Sequence, residues 1–366
     1  MRPVRFAVVG TKGVGQDHLK AIGGIAEVEL VAVCDVDAEA ARVSGEECGV
    51  AWFQDYHELL KMDGLEVVDI ATPHYLHAPM AIEALEAGIH VVVEKPMAMA
   101  VSEADEMVAA ARSAGRLLGV CQNYRCAPEM VVAKRLIEEG ILGRVTNAVW
   151  SAPRVRTQAY YDSGKWRGTW EREGGGVVIN QGIHDLDALR YLLGEPSRVL
   201  GSIQRLCHDI EVEDVVNAIV EFKSGASAAY QATTVNAAGC CHAELYGDKA
   251  ALVLGEEIRL GKSEVCGSEF IRTDPRAESW AAPKVTWETL ERGEEEDSHA
   301  VIIGDFARAV REGREPMVNG EDGRGTLELV NAVIMSGVTG RAVGLPLDRQ
   351  EYDRLLGDLK AGKIRL

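Results

Sequence analysis

The 366 residues are 47% hydrophobic and 26% charged, with 38 Gly and 11 Pro, which excludes disordered, collagen-like and coiled-coil chains and leaves length for two domains. Acidic residues outnumber basic ones 57 to 39, and the resulting formal charge of −18 repels nucleic-acid phosphates and anionic membrane surfaces, so a small-molecule partner is expected and neither nucleic acid nor membrane. No run approaches a membrane span and the opening residues lack a signal-peptide pattern, so a cytoplasmic location is expected.

In chain order, Arg5 to Val9 reads as a strand, Gly10 to Gly15 as a turn and Gly15 to Ala21 as a helix. Leu30 to Cys34 is a second strand, Asp37 to Cys48 a helix and Val67 to Thr72 a third strand, with Pro79 in the first turn of a helix reaching Glu86. Ile89 to Val93 follows as a strand, Ser102-Glu103-Ala104-Asp105 as a capping box opening a helix to Ala114, and Leu117 to Cys121 as the last strand of the set. This alternation predicts a doubly wound parallel sheet, a Rossmann domain over residues 1–123.

Beyond Ile141 the pattern changes. Val145 to Val155 and Val199 to Leu206 read as strands, Ala218 to Val235 as a hairpin turning at Ser224-Gly225, and His242 to Leu260 as further strand. One helix over Gly182 to Leu193 interrupts them, and helices are expected near 299–311, 325–337 and 349–360, with the acidic stretch Glu291 to Asp297 a solvated loop. Residues 124–366 are therefore expected to form an α+β domain that binds substrate. The eight cysteines have no CxxC pair and no zinc-type spacing, so reduced thiols and no metal are expected.

The turn Gly10-Thr11-Lys12-Gly13-Val14-Gly15 matches G-x-G-x-x-G at its first and last glycines and has Lys12 at the middle one. A strand precedes it, a helix follows, and Asp35 ends the second strand twenty residues past Gly15, where a carboxylate accepts from an adenosine ribose. The helix N-terminus favours a pyrophosphate, and a carboxylate at position 35 repels a 2′-phosphate, so NAD is expected over NADP. Thr72-Pro73 with His77 follows the third strand and Glu94-Lys95-Pro96 the fourth, both at the carboxyl edge of the sheet where ligands of open α/β folds bind. The expected cofactor contacts are Gly10, Thr11, Lys12, Gly13, Val14, Gly15, Asp35, Thr72, Pro73, His77, Glu94, Lys95 and Asn123.

Asn180, His184, Asp187 and Tyr191 are spaced as one polar stripe of a helix, with Ile183, Leu186, Leu189 and Leu193 on its apolar side. Together, Gly10-x-x-Gly13-x-Gly15-x-x-His18, Thr72-Pro73 with His77, Glu94-Lys95-Pro96, and Gly174-Gly175-Gly176 with His184 and Asp187 resemble the glucose–fructose oxidoreductase / inositol dehydrogenase / MocA-like (Gfo/Idh/MocA) family. The likeness continues through Trp166-Arg167-Gly168-Thr169, Val212-Glu213-Asp214 and Leu345-Pro346-Leu347. It implies a C-terminal α/β domain with a large, mainly antiparallel open sheet that supports homodimers or homotetramers. It also implies an active site between the domains, with Lys95 near the nicotinamide.

Oxidising a secondary alcohol needs a hydride acceptor and a base within reach of the hydroxyl, and Lys95 and His184 are the expected pair, Lys95 as principal acid/base. The family pattern breaks at Asn180, where many relatives have aspartate; an amide orients but takes no proton. Trp150, Tyr160, Tyr161, Trp166 and Trp170 cluster beside Arg154, Arg156, Lys165, Arg167 and Arg172, so sugar stacking and an anionic substrate or the cofactor's own phosphates are both open. The expected substrate contacts are Lys95, Tyr161, Trp166, Arg167, Asn180 and His184. The implied substrate is a sugar, sugar derivative or cyclitol. An NAD-dependent glycosidase working by transient oxidation and a non-catalytic dinucleotide-sensing regulator are the alternatives.

Overall fold

The computed structural model describes residues 2–273 and 280–366. The N-terminal part runs β1 (Val4–Val9), α1 (Val14–Ile22), β2 (Val28–Cys34), α2 (Ala38–Cys48), β3 (Ala51–Phe53), α3 (Tyr56–Leu59), β4 (Val67–Ile70), α4 (His74–Glu86), β5 (His90–Glu94), α5 (Val101–Ala114) and β6 (Leu118–Cys121). All pairings are parallel, in the order β3-β2-β1-β4-β5-β6. Strands such as Val67–Ile70 and Leu118–Cys121 are buried throughout because helices cover both faces, which is why they lack an alternating polar pattern.

Three local readings change. The edge strand β3 is three residues long and too short to register as a pattern. Helix α4 starts at His74, so Pro79 lies inside it and not in its first turn. At α5 the Glu103 carboxylate accepts from the Met99 and Ala100 amides, whereas the Ser102 hydroxyl turns away to donate to Asp353.

A 3-10 turn over Asn123–Cys126 leads into α6 (Pro128–Glu138), β7 (Val145–Pro153), α7 (Gln158–Asp162), α8 (Val177–Asn180), α9 (Ile183–Leu193), β8 (Pro196–Gln204), β9 (Val215–Phe222), β10 (Ser227–Thr233), β11 (His242–Gly247), β12 (Ala250–Leu254), β13 (Ile258–Ser263), α10 (Gly267–Thr273), β14 (Val285–Leu290), α11 (Ser298–Glu312), α12 (Gly320–Thr339), β15 (Val343–Gly344) and α13 (Arg349–Lys360). Nine strands form one sheet, β14-β13-β12-β11-β7-β10-β9-β8-β15, antiparallel except where β10 meets β7. One face of it carries α8, α9 and α12. On the other, Val149, Ala229, Ile219 and Leu200 lie in register across four strands, with Val149, Ile219 and Leu200 39%, 45% and 49% exposed. No helix among the described residues is long and apolar enough to cross a membrane.

The late helices return to the first sheet: α11 packs on α1 and β6, α12 on α5 and β6, and the Val120 amide donates to the Val318 carbonyl. Between the two sheets, the buried Arg125 grips Asp187 of α9 through Nε and Nη2, each at 2.8 Å, and Thr326 of α12 donates to the same carboxylate at 2.7 Å. Removing one partner of a buried ion pair strands the other charge. Asp187→Ala is therefore expected to destabilise the fold by about 3–5 kcal/mol in urea titration, and the double change Arg125→Met with Asp187→Leu by less than that single change.

Candidate active site

The glycine turn is shaped by contact. A Cβ on Gly15 would sit 1.9 Å from the Gly10 carbonyl oxygen, and one on Gly10, at φ +89°, 2.6 Å from that of Ala71, so β1, β4 and α1 approach too closely for any side chain. Asp35 is fixed beside the turn: Oδ2 accepts the Thr11 amide (2.9 Å) and hydroxyl (3.2 Å), and Oδ1 the Asp37 amide (2.9 Å). Lys12 points outward and pairs with Asp37 at 2.5 Å. Gly13 caps α1, whose first turn opens beside this carboxylate, a cradle that fits a dinucleotide.

The carboxyl edge is tied together by histidines. His77 is buried, its ring nitrogens 2.6 Å from the Thr72 carbonyl and 2.7 Å from that of Pro96, so it shapes the loops that carry Thr72, Pro73 and Lys95 and presents no free ring nitrogen to the crevice. His18, on α1, lies between Asp69 (Nδ1, 2.8 Å) and Glu94 (Nε2, 3.2 Å). Burial opposes its charge, but the two carboxylates outweigh burial and push it up to about 10. His299 of α11 stacks 4.9 Å from it and approaches Glu94 at 3.5 Å, and Asn123 donates to Ser298 beside it at 3.2 Å. His18, Glu94 and His299 bring ligand-type atoms within 4.8 Å of one another, and both ring nitrogens of His18 are engaged by Asp69 and Glu94.

Glu94 Oε2 accepts the Lys95 amide at 3.0 Å, and the Lys95 ammonium donates to the Asn180 carbonyl at 3.0 Å. Burial lowers the Lys95 pKa from its ordinary value, against the pull of Glu94 and with the help of Arg167. His184 is held well below its ordinary value by burial and then by the Lys95 charge, and its Nδ1 is buried without a hydrogen-bond partner among the described residues. His184, held well below its ordinary pKa, and Lys95, lowered by burial, thus act on each other across one site.

Asn180 and His184 reach it from different helices, because α8 ends at Asn180 and α9 begins at Ile183. The single stripe expected from their spacing is broken: Asp187 turns to Arg125, and Tyr191 lies under Arg125 and Lys134 at 5.0 and 4.6 Å. The aromatic expectation also shifts by one residue. Tyr161 is buried, its hydroxyl 3.0 Å from that of Thr234, whereas the Tyr160 hydroxyl meets Asn180 Nδ2 (3.3 Å), Gln181 Nε2 (3.1 Å) and Arg167 Nη1 (2.5 Å). Trp166 stacks on His74 at 4.9 Å between ring centres. The acidic loop Glu291 to Asp297 is exposed throughout, as expected, and its Glu295 and Glu296 line a cleft of about 660 Å³ with Asn123, Tyr124 and His184.

The sequence reading missed Glu173. Its buried carboxyl accepts from Asn180 Nδ2 at 2.5 Å and from the Gly168 amide, its carbonyl oxygen lies 2.9 Å from His74 Nδ1, and burial pushes its pKa up to about 7. Glu213 is likewise raised to about 7 by burial while accepting the Gly176 and Val178 amides, which pins the Gly174-Gly175-Gly176 turn.

Comparison with known proteins follows these two halves. The model described as an oxidoreductase family with an NAD-binding Rossmann fold matches residues 4–122, and that described as a GFO/IDH/MocA C-terminal domain matches residues 130–253. A D-apiose dehydrogenase of Paraburkholderia graminis is 29% identical over 345 residues, covering 93% of this chain and 89% of that protein. The myo-inositol 2-dehydrogenase of Thermotoga maritima is 26% identical over 349 residues, covering 93% and 98%. The WlbA dehydrogenase of Bordetella pertussis, solved with NADH and UDP-GlcNAcA, is 28% identical and superposes over 95% of this chain and 100% of that one with a TM-score of 0.81.

A carboxyl raised by folding binds its proton more tightly in the folded chain, so its contribution is full below the unfolded value and declines as pH rises toward the folded one. Glu173 and Glu213 should each weaken the fold by up to about 3 kcal/mol between pH 4.5 and 7. The Tm is expected to fall over that range, less steeply in Glu173→Gln; an identical slope in the variant would show that Glu173 ionises at its ordinary pKa.

Proposed function

The chain belongs to the Gfo/Idh/MocA oxidoreductase family, with an NAD-binding Rossmann domain, and on that premise we propose that it is an NAD-dependent dehydrogenase acting on a secondary alcohol of a sugar, sugar derivative or cyclitol. The observation that carries the reading is the half-buried Lys95 amine, lowered in pKa and hydrogen-bonded to the Asn180 carbonyl beside His184. Relatives named as D-apiose and myo-inositol dehydrogenases support the substrate class.

The chemistry supplied by NAD+, when bound, is acceptance of a hydride. Asp35, already braced by Thr11 and Asp37, would hold the adenosine ribose hydroxyls, and the Gly10–Gly15 turn with the α1 N-terminus the pyrophosphate. Lys95 takes the hydroxyl proton at Nζ as the alcohol becomes a ketone and returns it in the reverse direction. Uncharged His184 shares the same hydroxyl, and Asn180, fastened by Glu173, orients without taking the proton. Division of the chain near residue 123 and self-association through the face bearing Val149, Ile219 and Leu200 belong to the same reading; that row is apolar and open to solvent.

An NADH-absorbance screen over sugars, glycosides and inositols tests the activity. Lys95→Ala should lower turnover by about a hundredfold or more with NAD still bound; near-normal turnover would refute its role. Asp35→Ala should weaken NAD binding in a calorimetric titration, and unchanged affinity would remove the ribose assignment.

A further inference from the structure

The surroundings of Lys95 are rich in hydrogen-bond donors and short of acceptors. Arg167 lies over two rings, its guanidinium carbon 4.3 Å from the centre of Tyr160 and 4.4 Å from that of Trp166. Nη1 donates to the Tyr160 hydroxyl at 2.5 Å, and Nε and Nη2 make no hydrogen bond among the described residues. Stacking fixes the guanidinium plane, so the free edge is a rigid two-pronged donor of the shape that matches a carboxylate or phosphate. The Tyr160 oxygen also receives Asn180 and Gln181, three N–H donors for two lone pairs, and no described residue accepts its own proton. Arg156 approaches the same ring at 5.2 Å and has no ion-pair partner among the described residues.

No neighbouring acid fills the gap. Glu173 has both oxygens committed, to Asn180 and to the Gly168 amide, and forms no ion pair with Arg167. Arg154, two residues before Arg156, shows the contrast: Asp185 holds it at 2.8 and 3.0 Å. In a chain with 57 acids against 39 bases, uncompensated arginines gathered beside one reacting amine are a local reversal of the overall field. The cleft that reaches His184 is lined by Glu295 and Glu296 together with Glu129, which pairs with Arg292 at 2.8 Å, and Arg154, which Asp185 holds.

Resting on the dehydrogenase reading, we propose that the substrate is an anionic sugar whose carboxylate or phosphate is held by the Arg167 fork and the Tyr160 hydroxyl while the hydroxyl to be oxidised meets Lys95. The acceptor-only anion takes up the donors that the protein leaves unpaired, and its placement fixes which carbon of the ring faces the cofactor.

Isothermal titration of the NADH-saturated enzyme with glucuronate, galacturonate and glucose 6-phosphate, each beside neutral glucose or galactose, tests this. At least one acid should bind about tenfold or more tightly than its neutral counterpart, the usual worth of a charge-assisted hydrogen bond. Arg167→Gln should erase that preference and Arg167→Lys retain part of it, with NADH affinity as the folding control for each variant. Uronates ahead of glucose 6-phosphate assign the arm to a carboxylate; the reverse order assigns it to a phosphate. Equal affinities, no binding of any acid, or a preference that survives Arg167→Gln overturns the proposal. NADH formed from neutral polyols with no acid preference would remove it and leave the dehydrogenase standing, and acid preference without NADH formation would do the opposite.

Discussion

A buried imidazolium ties the molecule together. His18 leaves α1 directly behind the glycine turn, Asp69 sits on β4 and Glu94 at the end of β5, so one charged ring joins the element that would receive the cofactor to the strand that delivers Lys95. Burial alone would raise the Glu94 pKa, but hydrogen bonds from His18 and His299 and the His18 charge hold it well below its ordinary value. With Glu94 fixed, its second oxygen sets the Lys95 backbone through the amide, and His299 leans on the same group from α11. The glycine turn, the Lys95 backbone and a helix from the far end of the chain thus share one electrostatic knot.

The second sheet completes the site by carrying α8 and α9 against that knot. Glu213, at the mouth of β9, accepts two amides of the Gly176–Val178 bend, and a Cβ on Gly176 would lie 1.9 Å from the Glu213 carbonyl oxygen. The bend can therefore close only on glycine, and its closure puts Glu173 and Asn180 within hydrogen-bonding distance of each other. Arg125 and Asp187 then lock α9 to the turn that follows β6, which fixes His184 three residues earlier on the same helix.

Much of this was legible in the chain because it is local. Strand-helix alternation, the glycine turn with Asp35 one strand away, and Glu94-Lys95-Pro96 at a strand end are patterns of neighbours in sequence, and both sheets follow them. What escaped depends on direction and depth. Tyr160 and Tyr161 are adjacent in sequence, and only the rotation of the short helix α7 decides that Tyr160 faces Asn180 while Tyr161 enters the core. The polar stripe from Asn180 to Tyr191 assumed one continuous helix, whereas Gly182 interrupts it with its amide 2.6 Å from the Val177 carbonyl. That glycine was the available signal. Glu173 carried none, since a carboxyl in a Gly-rich stretch reads as solvated until tertiary packing buries it.

Both sheets act on the Lys95 amine. Burial is the largest influence on the amine and lowers its pKa, the Glu94 charge opposes it, and Arg167 and Arg156 act with burial. His18 meets the other oxygen of Glu94 at 3.2 Å, so the carboxylate that pulls on the Lys95 ammonium also faces a second cation. The Rossmann sheet alone would leave Lys95 at an open carboxyl edge, hydrated and protonated like any surface lysine. Asn180, Glu173 and the aromatic–arginine cluster cover it from the second sheet, and the same cover brings the Arg167 and Arg156 charges that act with burial on the amine. The environment of position 95 is therefore a property of the interface between the two sheets.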